Sequence, residues 1–336
     1  MITYKQGNIF DSDADCIFNT VNCEGYMGKG IAYQFKQRFS ENNIRYEKEC
    51  RAGRLTPGTL LVFREKGKTI VNFPTKDKWR NPSLMQYITD GLDEFVRILP
   101  GLGIKKAAIP PLGCGNGGLA WNDVKREIEN RLKDCNIDIE LFGPVEINTG
   151  KQIQGQMTAY DLVLLKVREE LKRPTSLRFQ KTFYFANYFY GSKLFAFSRG
   201  PRGPYSKVLY SEAERIGRYQ KDNNLKGAKE TYDAIYRLIC TKHVDAQYKK
   251  MAVSVDKALE IVNATEDDLI LEGAATAFYL IKDEKVTEAE EISKAFKEWS
   301  DDKAARFDED TILHSLDKLE GLGMVQRTLF DTYEVM

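Results

Sequence analysis

Over the first 142 residues, short apolar runs alternate with longer segments in which apolar residues recur every three or four positions. The short runs have the length and composition that are typical of strands, and they lie at residues 16–18, 60–63, 70–73, 107–109 and 137–142. The longer segments are typical of amphipathic helices. Strands and helices that alternate in this way predict an α/β fold in which helices cover both faces of one sheet.

Three amphipathic helices are predicted in this region. Their apolar positions are Ile31, Phe35 and Phe39 in the first helix, Ile88, Leu92, Phe95 and Leu99 in the second, and Val124, Ile128 and Leu132 in the third. In the first helix, the polar residues at 34 and 36–38 are expected to face water. The second helix is predicted to begin at Ser83, because Gln86 three residues later completes a capping-box pattern.

The pattern changes after the Gly-Pro pair that follows the last predicted strand. A polar stretch at 148–152 indicates a boundary, and a helix is predicted over 158–171, where a Lys-Arg-Pro sequence then stops it. These features divide the chain into a first domain at 1–148, a linker and helix at 149–174, and a second domain at 175–336.

The second domain is predicted to be mainly helical, with one strand-turn signal at 194–210. Near its end, helices are expected from Glu272, from Thr287 with a capping-box pattern, and from Asp308. A final β-type stretch from Met324 follows these helices. This order of elements predicts a winged-helix-like domain.

The charge balance excludes an attraction that acts over the whole protein. The 336 residues include 50 Lys and Arg against 49 Asp and Glu, which leaves a net charge of +1, so DNA or an anionic membrane would require a local patch. The six cysteines and two histidines show no metal-type spacing, and neither a metal nor a cofactor is expected. Because no run of about eighteen apolar residues occurs, the chain is interpreted as a soluble cytoplasmic protein without a membrane partner.

Two glycine-rich loops follow predicted strands and precede predicted helices, at residues 19–32 and 110–119. Ligands of α/β sheets bind at such loops, and their backbone N–H groups hold anions. Neither loop has the lysine-bearing sequence of an ATP-binding loop or the full pattern of a dinucleotide-binding loop. Two such loops favour a diphosphate that is held and not transferred, and tight turns without a ligand are the alternative.

Longer motifs around these loops carry a specific resemblance. The segments NTVNCEGYMGKGIAYQF, NFPTKDKWR and IPPLGCGNGGLAW, with Gly7-Asn8-Ile9 near the first strand, resemble the macrodomain family and, within it, the DarG-type DNA ADP-ribosyl glycohydrolase antitoxins. The resemblance implies a three-layer α/β/α macrodomain with a mixed central sheet. It also implies an enzyme that hydrolyses the N-glycosidic bond of ADP-ribosyl-thymidine in single-stranded DNA, with ADP-ribose as product.

The resemblance extends to the second half through the segments LRFQKTFYFANYF and FSRGPRGPYSKVLY. In the DarG-type family this half binds the cognate DarT-like toxin, an ADP-ribosyltransferase. The stretch at 283–310 is strongly acidic. As a hypothesis, it occupies a basic surface on the toxin, and an ordinary solvated face is the alternative.

The resemblance assigns site residues as well. Lys76, at the end of a predicted strand, is the expected catalytic residue. The expected ADP-ribose-binding residues are Asn8, Ile9, Asn22, Met27, Gly28, Lys29, Gly30, Ile31, Thr75, Leu112, Gly113, Cys114, Gly115, Asn116, Gly117, Gly118 and Leu119. In a similar animal enzyme a carboxylate in the second loop assists catalysis, but the matching position here is Gly117. Glu24 and Asp77 are the candidates to replace that carboxylate.

The chemistry leaves two roles open for Lys76. Most glycosidases cleave the bond at the anomeric carbon with two carboxylates, and the sequence offers no obvious pair. A desolvated lysine with a lowered pKa supplies a neutral amine that attacks the anomeric carbon, whereas an ammonium group polarises the substrate. The alternative functions are a non-catalytic ADP-ribose reader, a hydrolase of protein-linked or ester-linked ADP-ribose, and a DNA-binding regulator.

Overall fold

The computed structural model describes residues 1–144 and 157–336. The chain forms two compact units, one of Met1–Met157 with Asp233–Asp245 and the other of Thr158–Tyr232 with Ala246–Met336. The segment Asp233–Asp245 therefore belongs to the first unit, although it lies far along the chain from the rest of that unit. The polar boundary at 148–152 lies outside the described residues, and the domain limits based on it stay predictions.

The first unit is built on a six-stranded sheet with the order β1-β6-β5-β2-β4-β3. Its strands are β1 (Ile2–Lys5), β2 (Cys16–Val21), β3 (Leu61–Glu65), β4 (Lys68–Pro74), β5 (Lys106–Ile109) and β6 (Asp138–Phe142). Neighbouring strands are parallel except for β3 and β4, which are antiparallel. All five strand regions predicted from the apolar runs are confirmed, and the sheet is mixed as expected.

Helices cover both faces of this sheet. They are α1 (Gly30–Arg38), α2 (Ser40–Arg51), α3 (Met85–Leu102) and α4 (Trp121–Leu132). Because successive strand residues point to opposite faces, Ile17 packs with residues of α1 and α2 while Phe18 packs with residues of α3 and α4. The two apolar cores confirm the predicted α/β/α arrangement of three layers.

Besides β1, which is not among the predicted strands, three details of the first unit differ from the sequence-based expectations. Helix α2 was not expected, since most of its residues are polar. The capping box at Ser83 is wrong, because α3 begins at Met85 after Leu84 and Ser83 instead donates its backbone N–H to the Gly117 carbonyl at 2.9 Å. Gln34 does not face water, since it is 2% exposed and its amide donates to the Cys240 thiol.

The remaining elements confirm a mainly helical second half. The helices are α5 (Ala159–Glu170), α6 (Ser176–Tyr190), α7 (Lys207–Asp222), α8 (Gly227–Ile239), α9 (Lys242–Ala264), α10 (Asp268–Asp283), α11 (Ala289–Lys297), α12 (Asp301–Arg306) and α13 (Glu309–Gly321). Two antiparallel hairpins pair β7 (Ser198–Gly200) with β8 (Gly203–Tyr205) and β9 (Val325–Arg327) with β10 (Tyr333–Val335). Among residues 1–144 and 157–336, none of the helices has the length and apolar character required to span a membrane.

The helix starts near the end of the chain were predicted with mixed success. Asp308 caps α13 with its carboxylate, as expected. Helix α10 begins before the expected Glu272, because the Asp267 carboxylate caps it. The capping box at Thr287 is wrong, since Glu288 precedes α11 and makes no side-chain capping bond. The order α11, α12, α13 and hairpin agrees with a winged helix, and that arrangement stays a prediction.

Candidate functional site

The two glycine-rich loops and Lys76 lie at one edge of the sheet. The first loop contains the connection from β2 to α1, residues 22–29, and the second loop lies in the connection from β5 to α4, residues 110–120. Lys76 follows β4, which pairs in parallel with β2. Because β5 also pairs in parallel with β2, all three segments leave the carboxyl ends of neighbouring strands, where α/β proteins bind ligands.

Side-chain hydrogen bonds hold the first loop. The Asn22 carbonyl oxygen Oδ1 accepts from the backbone N–H of Glu24 at 2.9 Å and of Tyr26 at 3.3 Å, and its Nδ2 donates to the Tyr26 carbonyl at 2.7 Å. The buried Tyr46 hydroxyl of α2 donates to the Asn22 backbone carbonyl at 2.7 Å. The Asn22 amide thus stabilises the loop through hydrogen bonds to the backbone of nearby loop residues.

The second loop depends on the absence of side chains. A Cβ atom on Gly117 would lie 2.1 Å from the Ser83 hydroxyl and 2.3 Å from the Gly113 carbonyl. Gly113 has a φ of +71° and also lies against Ser83. Position 117 therefore has no room for a side chain, unless the loop moves.

Lys76 joins the second loop to the end of β4. Its Nζ donates to the Asn116 carbonyl at 2.7 Å and to the Trp79 carbonyl at 3.4 Å. Burial of this half-buried amine lowers the pKa of Lys76 below the usual range of a lysine, because desolvation disfavours the ammonium form. Gly30, at the start of α1, lies close to the Asn116 amide. The first loop and the second loop therefore come close together at Asn116.

Further bonds tie the first loop to the segment after β4. The Cys23 backbone N–H donates to the Asp77 carbonyl at 2.9 Å, and the Trp79 backbone N–H donates to the Glu24 carboxylate at 2.8 Å. Glu24, one candidate for the missing catalytic carboxylate, is therefore engaged by Trp79. Asp77, the other candidate, is exposed.

The cysteines beside the loops are poor nucleophiles. Burial raises the pKa of Cys23 to about 12, and burial also raises the pKa of Cys114 to about 12. Since the thiolate is the reactive form of cysteine, both thiols stay protonated at neutral pH. Lys76 is thus the side chain at this edge whose pKa shift favours a nucleophilic form.

The expected ligand-binding residues differ in their exposure to solvent. Exposed residues lie on the loops, and they are Gly28, Lys29, Gly115, Asn116 and Gly118. Other residues are buried, and they are Ile9, Met27, Gly30, Thr75, Leu112, Gly113 and Gly117. Asn22 is also buried, Ile31, Cys114 and Leu119 are partly buried, and Asn8 accepts from the Phe10 backbone N–H. The contact of each with a ligand stays a prediction.

Sequence reasoning missed the segment Asp233–Asp245. Within the first unit, the Cys240 carbonyl accepts from the Gly30 backbone N–H at 3.3 Å, and the buried Asp245 carboxylate accepts from the Tyr33 hydroxyl at 2.9 Å. These bonds cover the outer face of α1 next to the first loop. Contacts between residues about two hundred positions apart leave no local sequence signal.

Comparison with known proteins identifies relatives along nearly the whole chain. The Macro domain family matches residues 18–128. A protein of Mycobacterium tuberculosis named DNA ADP-ribosyl glycohydrolase is 31% identical, over 95% of this chain and 99% of that protein. A protein of the same name from Thermus aquaticus is 30% identical, over 90% of this chain and 89% of that protein. A DNA ADP-ribosyl transferase-DNA ADP-ribosyl glycohydrolase fusion protein of Thermosipho africanus is 29% identical, over 43% of this chain and 42% of the fusion.

The Macro domain match includes most of the sheet, both glycine-rich loops and Lys76. The Mycobacterium and Thermus relatives extend the similarity through the helical second half. The chain therefore belongs to the family of DNA ADP-ribosyl glycohydrolases that carry a macrodomain.

Proposed function

We propose that this chain hydrolyses the N-glycosidic bond between ADP-ribose and thymidine in single-stranded DNA, with Lys76 as the catalytic residue. One observation carries the proposal: the partly desolvated Lys76 amine lies at the glycine-rich loops, bonded to the Asn116 carbonyl. Loops of this kind hold diphosphates with their backbone N–H groups. A diphosphate held there brings its attached ribose close to the amine.

The lowered pKa of Lys76 favours the nucleophilic role over the electrostatic one, because desolvation disfavours the ammonium form. A neutral amine has two N–H donors and one lone pair, and the carbonyls of Asn116 and Trp79 match the two donors. The lone pair then attacks the anomeric carbon and forms a C–N bond as the bond to thymine breaks, and the released base takes a proton from solvent. Water next displaces the lysine from the sugar and releases a proton to solvent, which yields ADP-ribose and the original neutral amine.

The expected binding residues have two roles, contact with the ligand and support of the loops. We assign direct ligand contact to the exposed loop residues Gly28, Lys29, Gly115 and Asn116, which border open space or solvent. We assign a shaping role to the buried Ile9, Met27 and Leu112, because their side chains pack in the core. The loops then act as a preformed cradle whose N–H groups meet the diphosphate without reorganisation.

The test compares release from three substrates by the full chain. The substrates are a single-stranded oligonucleotide with ADP-ribosyl-thymidine, a protein with ester-linked ADP-ribose, and O-acetyl-ADP-ribose. We expect release of ADP-ribose from the oligonucleotide with the highest kcat/KM. Faster turnover of the ester-linked substrates would favour an ester hydrolase, and binding of ADP-ribose without release from any substrate would favour a reader.

We further propose that the second half binds a cognate DarT-like toxin. The fusion protein of Thermosipho africanus supports this proposal, because its name joins a DNA ADP-ribosyl transferase and a glycohydrolase in one chain. The acidic stretch at 283–310 is only partly available for such a partner. The carboxylate of Glu284 pairs with Arg199, and that of Asp302 pairs with Arg306.

A variant without hydrolase activity separates the two proposed activities. The full chain with Lys76→Ala is added to the toxin, and modification of a single-stranded oligonucleotide is measured over time. We expect modification to stop at a stoichiometric amount of the variant, because toxin binding does not require Lys76. If the toxin modifies DNA at an unchanged rate in the presence of this variant, the toxin-binding proposal is wrong.

A further inference from the structure

Two large aromatic side chains remain exposed beside Lys76. Tyr26 in the first loop is 61% exposed, and Trp79 is 49% exposed. Side chains of this size contribute strongly to binding when they become covered, and aromatic rings are the surfaces on which single-stranded nucleic acids stack. The Arg80 guanidinium lies over the Trp79 ring, 4.7 Å from its centroid, which adds a cation and a second flat group.

The bonds already described fix the Trp79 backbone relative to the catalytic lysine. Its N–H is held by the Glu24 carboxylate of the first loop, and its carbonyl accepts from the Lys76 amine. A ring attached to a backbone held on both sides loses little conformational freedom when it binds a partner. The two aromatic residues therefore belong to one connected surface, which consists of the first loop and residues 76–80.

The charge of this surface suits a phosphodiester strand. Lys29, Lys78 and Arg80 supply three cations beside the Lys76 amine, while Glu24 and Asp77 supply two carboxylates. Cations therefore outnumber carboxylates on this surface, as they do on surfaces that neutralise phosphates. Aromatic rings interspersed with cations, next to a site that acts on a base, match a nucleic acid strand better than a protein segment.

We propose that Trp79, with Arg80 and Tyr26, forms a stacking surface for the nucleobases adjacent to the modified thymidine. This inference rests on the proposed function, since it assumes that the ADP-ribose is attached to DNA. It adds a reason for selectivity toward single strands: bases in a duplex stack on one another, whereas those of a single strand are available to aromatic side chains. The surface acts through binding of the strand and takes no part in bond cleavage.

The experiment compares one substrate with neighbouring bases and one without them. The full chain and its variants are given ADP-ribosyl-thymidine nucleoside or a nine-nucleotide single strand with the same modification at its centre. Trp79→Ala is expected to raise KM for the oligonucleotide about tenfold, because stacking on one aromatic ring is worth that order of affinity. It should leave kcat for the oligonucleotide and both constants for the nucleoside unchanged, because Trp79 bonds to Lys76 through its backbone carbonyl, which alanine also has.

Two controls make the result specific. Trp79→Phe keeps a ring and should recover most of the lost affinity for the oligonucleotide. Tyr4→Ala removes an exposed aromatic residue of β1 that bonds to Glu129 of α4. It should change neither kcat nor KM for either substrate. Arg80→Ala is expected to raise KM for the oligonucleotide severalfold and to weaken the salt dependence of binding.

The outcomes distinguish this inference from the function on which it rests. Equal losses on nucleoside and oligonucleotide would mean that Trp79 supports Lys76 only, and the stacking surface would be rejected. Unchanged constants in Trp79→Ala would reject it as well. If the wild-type chain releases ADP-ribose from neither substrate, the glycohydrolase proposal itself is wrong and the inference is overturned with it.

Discussion

The two glycine-rich loops look alike in sequence, but the structure holds them by different means. In the first loop, the Asn22 amide and the Tyr46 hydroxyl satisfy backbone groups, and a Cβ on Gly28 would meet open space. In the second loop, Gly117 lies so close to Ser83 that no side chain fits. The first loop is held mainly by polar side chains, and the second mainly by the absence of side chains.

This difference shows how a glycine-rich loop should be interpreted. Glycine is required where backbone or a neighbouring side chain occupies the space of a Cβ, or where φ is positive. Gly117 meets the first condition and Gly113 meets both, whereas Gly115 meets neither. The number of glycines therefore overstates how many positions require glycine. It also gives no sign of Asn22, whose hydrogen bonds hold the first loop.

The largest effect is expected from a methyl group in the second loop. Gly117→Ala should weaken ADP-ribose binding on the order of 100-fold, because overpacking costs about 2–3 kcal/mol and displaces the N–H groups of the cradle. Titration calorimetry with ADP-ribose measures the change. Gly101→Ala in α3, outside the glycine-rich loops, is the control and should bind like the wild type, since a Cβ there meets nothing within 4 Å. Equal losses in both variants would mean that steric fit does not distinguish the two positions.

The pH dependence of turnover tests which protonation state of Lys76 is the active one. Desolvation lowers the pKa of Lys76, and the neutral amine predominates only above that pKa. Turnover should therefore rise about tenfold per pH unit below the lowered pKa and level off above it. Steady-state rates between pH 5 and 10 measure the profile. A rate that falls as pH rises through the lysine pKa would instead indicate that the ammonium form is required.

A smaller effect is expected from removing a hydroxyl that supports the first loop. Tyr46→Phe leaves the buried Asn22 carbonyl without its 2.7 Å hydrogen bond and should lower the free energy of unfolding by about 1–2 kcal/mol. Urea unfolding of the full chain measures the loss. Tyr4→Phe is the control, because its hydroxyl bonds to Glu129 at the exposed surface. Similar losses of unfolding free energy in the two variants would show that the buried bond to Asn22 contributes no more to stability than the exposed bond to Glu129.

The smallest effect is expected from removing the Ser83 hydroxyl, which lies against the second loop. The Ser83 hydroxyl is buried and has no hydrogen-bond partner within residues 1–144 and 157–336. Ser83→Ala removes only this hydroxyl and should change stability by less than about 0.5 kcal/mol, with ADP-ribose affinity unchanged. Thermal unfolding and calorimetry measure both quantities. A clear loss of affinity would indicate that the hydroxyl contacts the ligand or the loop in the bound state.

Local patterns predicted most of the first unit because its cores follow simple periods. Ile17 and Phe18 alternate between the two faces, and Val124 and Ile128 repeat at helical spacing. Helix α2 escaped prediction since its sequence is mostly polar and only Tyr46 and Cys50 represent its apolar face in the core. The capping box at Ser83 failed because a tertiary bond to Gly117 competes with the local one.

The candidate site was predictable only in part, for similar reasons. Strand ends and glycines predicted which segments meet at one edge of the sheet, since parallel strands present their carboxyl ends together. The bonds of the Lys76 amine depend on where the second loop lies in space, and the same holds for the cover of α1 by Cys240 and Asp245. Such contacts join distant parts of the chain and have no periodic signal.

The most direct test of the central claim is the release of ADP-ribose from a single-stranded oligonucleotide that carries ADP-ribosyl-thymidine. The wild-type chain and Lys133→Ala, which removes an exposed lysine at the C-terminal end of α4, should release it at similar rates. Lys76→Ala should release none while it still binds ADP-ribose. Release by Lys76→Ala at the wild-type rate would contradict the account, because the bond would then be cleaved without the lysine.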